Sequence, residues 1–509
     1  MSRAKVFAMF KKVFVANRGE IACRVIRACR TMGIESVIGF HAVDQSTLGV
    51  RLADYAVELT SPPDQSPRAA YLDVAQIVEA AKRTGCEAVH PGYGFLSERA
   101  DFARACAEAG LTFVGPSPEC IARLGDKNQA REAMRAAGLP LVPGSDGPCT
   151  ELETALKLAD EMGYPVLIKA AGGGGGRGMR RAYNKEELRV GFDQARREAL
   201  ASFGNDSVYL EKYIAKPRHI EIQILADKHG QAVYLLEREC SVQRRFQKML
   251  EEAPSPFLDP ESRKSMGEAA VRGALAVGYY NAGTFEFLVD ENKNFYFLEV
   301  NTRLQVEHPV TEEITGVDLV CEQFKVAYGD KLTLKQEDIQ QRGWSIECRI
   351  TCEDPDANFR PSVGTVDGLR LPAGPGVRVD THLYQGYCVP NDFDSMLAKL
   401  IVTGSDREAA IQRTLAALDE FEVAGFSTSI PFHRWLLSHP RFQAGHLSTH
   451  FLEEEFSGLP GDDVEISDLL TVAAVIQHKR AGNGGDSEPA TASRGNWAQS
   501  SRLSGVGRF

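Results

Sequence analysis

The sequence predicts a mixed α/β and α+β protein of about three domains. An N-terminal α/β domain on a parallel sheet is followed by a central domain with a glycine-rich loop and by a C-terminal α+β domain. Three observations carry this prediction. The chain opens strand–helix–strand, a glycine run follows directly on an apolar strand, and a late series of strands leads into an amphipathic helix.

Residues 12–16, Lys-Val-Phe-Val-Ala, read as a short buried strand, and Asn17 stands where a helix cap would. Ile21, Val25, Ala28 and Met32 then recur at helical spacing, and residues 37–40 form a second strand. Consecutive strands joined through a helix run parallel. Strand–loop signals at 88–96 and 111–115 extend the unit, which is assigned to residues 10–125. The central domain, 126–335, opens on a helix at 126–137 and places strands at 166–170, 284–289 and 295–300. The third domain, 343–455, has strands at 345–350, 365–371, 377–383 and 396–402. A helix follows with Ile411, Leu415 and Leu418 on one face. Residues 480–509, rich in Gly, Ser and Ala, read as a disordered tail.

The 509 residues are 43% hydrophobic and 25% charged, with a formal net charge of −11, which argues against nucleic acid as a partner. No stretch approaches the roughly 18 apolar residues of a membrane span, and the N-terminus is too short and broken for a signal peptide. The eleven cysteines, scattered from Cys23 to Cys388, form no Cys-x-x-Cys pair. A reducing, cytoplasmic location is therefore expected.

Two segments carry chemistry. Val166-Leu167-Ile168-Lys169-Ala170 precedes the run Gly172–Gly176 and then Arg177-Gly178. Each glycine costs about 0.5–1 kcal/mol in a regular element, so the run suits a backbone whose N–H groups close on phosphates, with Lys169 beside it. A plain surface loop is the other reading, and the ending of a Walker A loop is absent. In the second segment Glu299, Asn301, Arg303, Gln305 and Glu307 fall at every second position, so an extended chain points them to one side. A half-exposed strand gives the same alternation. With a four-residue turn at 291–294, Val289 pairs with Tyr296 and Glu286 faces Glu299. Directly opposed carboxylates repel unless a cation lies between them. Two carboxylates and the Asn301 carbonyl are hard oxygen ligands suited to Mg²⁺ shared with phosphates.

These residues resemble the biotin carboxylase family, a branch of the ATP-grasp enzymes, over about residues 12–455. The resemblance rests on Val15-Ala16-Asn17-Arg18-Gly19-Glu20-Ile21-Ala22, on His90-Pro91-Gly92-Tyr93-Gly94-Phe95-Leu96-Ser97-Glu98 and on residues 172–179. It continues through 212–223 with Pro217-Arg218-His219, through 299–309, and through Glu347-Cys348-Arg349-Ile350 ahead of Glu353-Asp354-Pro355. It implies a central ATP-grasp domain between N- and C-terminal biotin carboxylase domains. The implied reaction forms carboxyphosphate from ATP and bicarbonate, and the carboxyl group then passes to biotin N1. Lys127 and Lys169 are implied to contact ATP phosphates, with Gly175 and Gly176 closing over them. Glu211, Lys212 and Ile214 are implied at the adenine and ribose, with His219 and Gln243 nearby. Glu286, Glu299 and Asn301 would hold Mg²⁺, or Mn²⁺ in its place. Lys248, Arg303, Gln305 and the Val306 backbone would receive bicarbonate, Glu307 would be its base, and Arg349 would face the biotin oxygen.

One position departs from the family: Phe246 stands where His is usual, and phenylalanine has no hydrogen-bonding group. No Ala-Met-Lys-Met type biotinylation motif occurs. The resemblance therefore implies a stand-alone carboxylase subunit that forms a homodimer or part of a larger complex. It would work with a separate biotin carboxyl carrier protein and a carboxyltransferase. Three other readings compete. A carbamoyl phosphate synthetase would show an internal duplication, and none is visible. A regulatory nucleotide-binding protein finds support in Phe246 but does not need the bicarbonate residues. A dinucleotide oxidoreductase lacks its G-x-G-x-x-G fingerprint.

Overall fold

The computed structural model of the chain describes residues 9–145, 147–170, 179–203 and 207–460. Gly175, Gly176 and the 480–509 tail lie outside the described residues.

The N-terminal region is the expected parallel sheet. Strands β1 (Lys12–Val15), β2 (Glu35–His41), β3 (Tyr55–Leu59), β4 (Ala88–His90) and β5 (Thr112–Phe113) stand in the order β3-β2-β1-β4-β5, and every pairing is parallel. The helix Gly19–Met32 makes the first crossover and buries Ile21, Val25 and Ala28. Asn17 is not its cap, because the cap position is Arg18 and no side chain satisfies it. Asn17 instead ties two loops together. Its Nδ2 donates to Pro91 O at 2.6 Å and to Tyr93 O at 2.8 Å. Gly92 permits that approach: its φ is +63°, and a Cβ there would lie 2.9 Å from Asn17 Nδ2.

The central region contributes a three-stranded antiparallel sheet of β6 (Val166–Ala170), β7 (Met179–Ala182) and β8 (Val208–Lys212). Helices Leu152–Met162 and Lys185–Phe203 cover it through Leu156, Leu188 and Phe192. The remaining central strands are β9 (Arg218–Ala226), β10 (Ala232–Arg244), β11 (Gln247–Ala253), β12 (Asn281–Val289) and β13 (Phe295–Asn301). The third region adds β14 (Trp344–Thr351), β15 (Glu353–Asp354), β16 (Arg360–Pro361), β17 (Gly368–Arg370), β18 (Val377–Thr381), β19 (Met396–Gly404) and β20 (Glu422–Ala424). The strand expected at 365–371 shrinks to β17, with Thr365 in an isolated bridge to Cys388.

One antiparallel sheet runs through both regions in the order β13-β12-β9-β10-β11-β14-β19-β18. Strand β14, which opens the third region, pairs directly with β11 of the second. Helix Pro260–Ala276 covers the β9 and β12 part of the sheet, and helix Arg407–Glu420 covers β14 and β19.

The β12–β13 hairpin corrects the expected register. Val289 pairs with Phe295, Leu288 with Tyr296 and Phe287 with Phe297, and Leu298 is then an extra residue before Glu286 meets Glu299. The loop is five residues, 290–294, organised by Asp290 Oδ1, which accepts from the Asn292 and Asn294 N–H groups at 2.9 Å each. The longer loop and the bulge at Leu298 cancel, so the Glu286–Glu299 opposition survives while Val289–Tyr296 does not. The bulge also breaks the alternation, leaving Leu298 40% exposed. Strand β13 ends at Asn301. Arg303, Gln305 and Glu307 therefore do not lie on an extended strand. They follow in a turn that leads into the helix His308–Thr315.

Candidate active site

Strand β9 lies between β10 and β12, buried along its whole length. Ile220, Ile222 and Ile224 fill the core on one face, and His219, Glu221 and Gln223 form a buried polar row on the other. Such a row is stable only if every polar group finds a partner. Arg238 of β10, 0% exposed, supplies most of them. Its Nε donates to Glu221 at 2.5 Å, Nη1 to Gln223 and Thr311 at 2.7 and 2.9 Å, and Nη2 to Thr284 and Gln305 at 3.1 and 2.7 Å. All five guanidinium donors are satisfied.

Beside Arg238, the Lys248 ammonium reaches three carboxylates: Glu221 at 2.6 Å, Glu286 at 3.0 Å and Glu307 at 2.5 Å. Burial disfavours its charge, but the three acids outweigh burial and hold its pKa well above the usual lysine value. The second oxygen of Glu307 accepts from Arg349 Nη2 at 2.9 Å, and Arg349 Nε donates to Glu251 at 2.6 Å. Burial would raise the Glu307 pKa, yet Lys248, Arg349 and Arg238 hold it far below the carboxylate range. Glu307 is thus an ionised acceptor clamped between two cations.

Glu286 joins this cluster to the hairpin. Its Oε1 accepts from Asn301 Nδ2 and Gln305 Nε2, each at 2.8 Å, and its Oε2 lies 2.8 Å from His219 Nε2. The Gln243 amide nitrogen is 2.6 Å from His219 Nδ1. In that orientation Nδ1 accepts and the imidazole proton sits on Nε2, close to Glu286 but not aligned for a hydrogen bond with it. Burial opposes the charged imidazole, but the Glu286 carboxylate raises the His219 pKa overall. Arg303 donates to Glu98 at 2.9 Å and to Asn301 Oδ1 at 3.0 Å.

A cavity of about 1030 Å³ opens next to this cluster, large enough for a nucleotide. Its walls include Lys127, Lys169, Glu211, Glu98, Glu299 and Asn301. Lys127 is the first residue of the helix Lys127–Ala136, capped by Asp126, so its backbone adds the positive end of a helix dipole. Lys169 pairs with Glu211 at the end of β6. Two expected residues contribute less directly. The Lys212 ammonium donates to the carbonyls of Gly163 and Tyr164 at 2.8 and 3.1 Å. Ile214 is half-buried after β8, and neither residue is among the cavity walls. Phe246 is 81% exposed and also lies off those walls. The Val306 carbonyl accepts from Lys399 Nζ at 2.8 Å.

The proposed Mg²⁺ ligands fit a divalent cation. Glu286 and Glu299 are direct cross-strand neighbours, and the Glu299 carboxylate accepts no hydrogen bond from the described residues. Partial loss of hydration, then the Glu286 charge, raises the Glu299 pKa. Glu286 also groups with His219 and Glu221, and Glu221 groups with Cys240 and Glu307; in both groups Lys248 or Arg238 already pairs with the carboxylates, so an ion between Glu286 and Glu299 would take Glu286 from Lys248.

The sequence reading missed Glu221, Arg238, Glu251, Glu98 and Lys399 as members of this network. For Glu221 a signal existed: His219, Glu221 and Gln223 alternate with three isoleucines, which marks a polar row on a buried strand. Arg238 lies in Leu235-Leu236-Glu237-Arg238-Glu239-Cys240, where no spacing distinguishes it from a surface charge.

Comparison with known proteins identifies the family. Residues 9–121 match the family described as biotin carboxylase, N-terminal domain. Residues 126–335 match the carbamoyl-phosphate synthase L chain, ATP binding domain, and 347–454 the biotin carboxylase C-terminal domain. Biotin carboxylase 1 of Bacillus subtilis is 53% identical over 446 residues, covering 87% of this chain and 98% of that protein. The biotin carboxylase of Pseudomonas aeruginosa is 50% identical over 449 residues, covering 88% and 99%. Among solved structures, the biotin carboxylase domain dimer of the Hydrogenobacter thermophilus 2-oxoglutarate carboxylase was determined with MgADP, ADP and bicarbonate. It superposes with a TM-score of 0.80 at 47% identity, covering 89% of this chain and 100% of that one. The three matched domains in this order, with relatives matched over nearly their full length, show that the chain belongs to the biotin carboxylase family of ATP-grasp ligases.

Proposed function

We propose that the chain carboxylates biotin on a separate carrier protein, using ATP and bicarbonate, and hands the carboxyl group to a carboxyltransferase partner. The observation that carries this reading is the continuous chain Lys248–Glu307–Arg349 beside a nucleotide-sized cavity. On this reading Lys127 and Lys169 bind the ATP phosphates, with Gly175 and Gly176 above them. Glu211, Lys212, Ile214, His219 and Gln243 surround the nucleoside. Glu286, Glu299 and Asn301 hold Mg²⁺, which supplies charge neutralisation at the transferring phosphoryl group.

Bicarbonate, a small anion, is received by Lys248, Arg303, Gln305 and the Val306 backbone. Glu307 takes its proton while a bicarbonate oxygen attacks the γ-phosphorus, the bond to ADP breaks and carboxyphosphate forms. The P–O–C linkage then cleaves, and the released phosphate takes the N1 proton of biotin as the carboxyl carbon bonds to N1. The Arg349 fork suits the developing charge on the ureido oxygen. A base works best when its pKa lies near the operating pH, and clamped Glu307 sits far below that. An arriving anion competes for Lys248, and biotin competes for Arg349. Each exchange weakens the clamp and raises the basicity of Glu307, so the base is activated by the substrates it serves.

The test is ATP cleavage measured with and without bicarbonate and with and without free biotin. Bicarbonate-dependent cleavage stimulated by biotin, with carboxybiotin formed, is the expected outcome. Nucleotide binding without bicarbonate-dependent turnover would favour the regulatory reading.

A further inference from the structure

Behind Arg349, strands β11 and β14 place Glu251 directly opposite Glu347. Both are 0% exposed. Glu251 Oε1 accepts from Arg349, but Glu251 Oε2 and both oxygens of Glu347 have no hydrogen-bond partner. Three unpartnered carboxylate oxygens on an opposed buried pair cannot belong to two ions. Opposed residues hold their Cβ atoms about 4.5–5.5 Å apart, and an uncompensated buried charge there costs several kcal/mol. On its other side Glu347 pairs with Ile401 of β19; Lys399, two residues along that strand, bonds Val306 and Glu20 rather than Glu347 and opposes the rise in the Glu347 pKa without overcoming burial.

We propose that Glu251 and Glu347 share one proton, with Glu347 the uncharged partner and a positioning residue that aims Glu251 at Arg349. This rests on the reading of Arg349 as the residue that meets biotin. With one negative charge on the pair, Arg349 is anchored by Glu251 on a single side. It can therefore release Glu307 and turn toward the ureido oxygen. Two charges there would pull Arg349 back and leave the substrate to compete with both.

The surroundings support the assignment. The ionisable groups near the pair are Arg349 and Cys348 on β14, Lys399 on β19, Glu307 ahead of the helix His308–Thr315, and Lys248 and Cys240 on β11 and β10. Tyr93 is close as well. On the helix, His308 is held by the Gln305 carbonyl and Glu312 and Glu313 by Arg378, while Lys399 donates to Val306 and pairs with Glu20 at 3.3 Å. Burial is the main cause that raises both acids. Glu251 is pushed up to about 7, and Glu347 well above the carboxylate range.

The test is infrared titration of the full chain, wild type and Glu347→Gln, with biotin carboxylation followed across the same pH range. Wild type should show a protonated-carboxyl band at neutral pH that is absent from the variant. The biotin KM of wild type should rise several-fold on the alkaline side as the shared proton leaves. Glu347→Gln, which cannot ionise, should lose that rise and keep its neutral-pH value within about twofold, with bicarbonate-dependent ATP cleavage unaffected. No protonated-carboxyl band in wild type, as for an ionised pair bridged by water, overturns the proposal, and so does an alkaline rise that persists in the variant. If the variant does not fold, the wild-type titration decides. If biotin is not a substrate at all, the functional reading fails while the infrared band still reports on the pair.

Discussion

Glu307 and Arg349 are 2.9 Å apart, so an ion pair and a catalytic pair make the same picture at rest. Their substitution separates the two. As the base, Glu307→Gln should keep ATP and Mg²⁺ binding but lose bicarbonate-dependent turnover by about 10²–10⁴-fold. Arg349→Ala should retain some bicarbonate-dependent ATP cleavage, because carboxyphosphate formation makes no bond to biotin, while carboxybiotin formation falls sharply. Melting temperature, ATP cleavage and carboxybiotin measured on both variants decide the matter, since a purely structural pair gives matched losses in all three. These residues were legible in the sequence because a long motif carries them. Glu221 and Arg238 were not, because a buried charge is recognised by its surroundings, and those come from β9, β10, β12 and the helix His308–Thr315, brought together only by the fold.

At the scale of elements, the sequence located β6, β12, β13 and β14 but none of β8 to β11, which carry Glu211, Glu221, Arg238 and Lys248, and it did not show how β12 and β13 meet. Period-two spacing reads correctly only while a strand stays regular. The bulge at Leu298 and the end of β13 at Asn301 both break it, and neither follows from residue type. The β10–β11 hairpin makes a similar point. Arg244 pairs with Gln247, leaving a two-residue turn of Arg245 and Phe246 with φ of +51° and +67°. Positive φ at both positions is the type I′ turn, which favours Asn-Gly. A bulky residue pays for it in strain. Phe246→Gly should therefore raise stability by about 0.5–1 kcal/mol, the relief of left-handed strain less the added freedom of the unfolded chain. Because the ring projects into solvent, nucleotide KM should be unchanged. Chemical denaturation and ATP kinetics on the same variant check both expectations. A weaker nucleotide affinity would give Phe246 a role at the site.

Across the whole molecule, the eight-stranded sheet makes the second and third regions one frame, and the active-site cluster spans it. Glu221, Lys248 and Glu286 come from strands of the second, Glu307 from the turn after β13, and Arg349 from β14 of the third. The N-terminal region is joined through Lys399, which is wholly buried on β19. Its ammonium donates to Val306 O at 2.8 Å and lies 3.3 Å from Glu20 of the first helix, where Tyr93 also donates. Burial raises the Glu20 pKa and Lys399 opposes that rise. Removing the cation would leave a buried carboxyl without its counter-charge and the Val306 carbonyl without its donor. Lys399→Met should therefore destabilise the fold by about 3–5 kcal/mol, the usual result of breaking a buried pair. Glu20→Gln/Lys399→Met, which removes both charges, should recover much of that stability. The two roles of Lys399 then separate. If the ammonium also positions Val306, the double variant regains its thermal midpoint but keeps a raised KM for bicarbonate. If Lys399 serves only to neutralise Glu20, stability and KM return together.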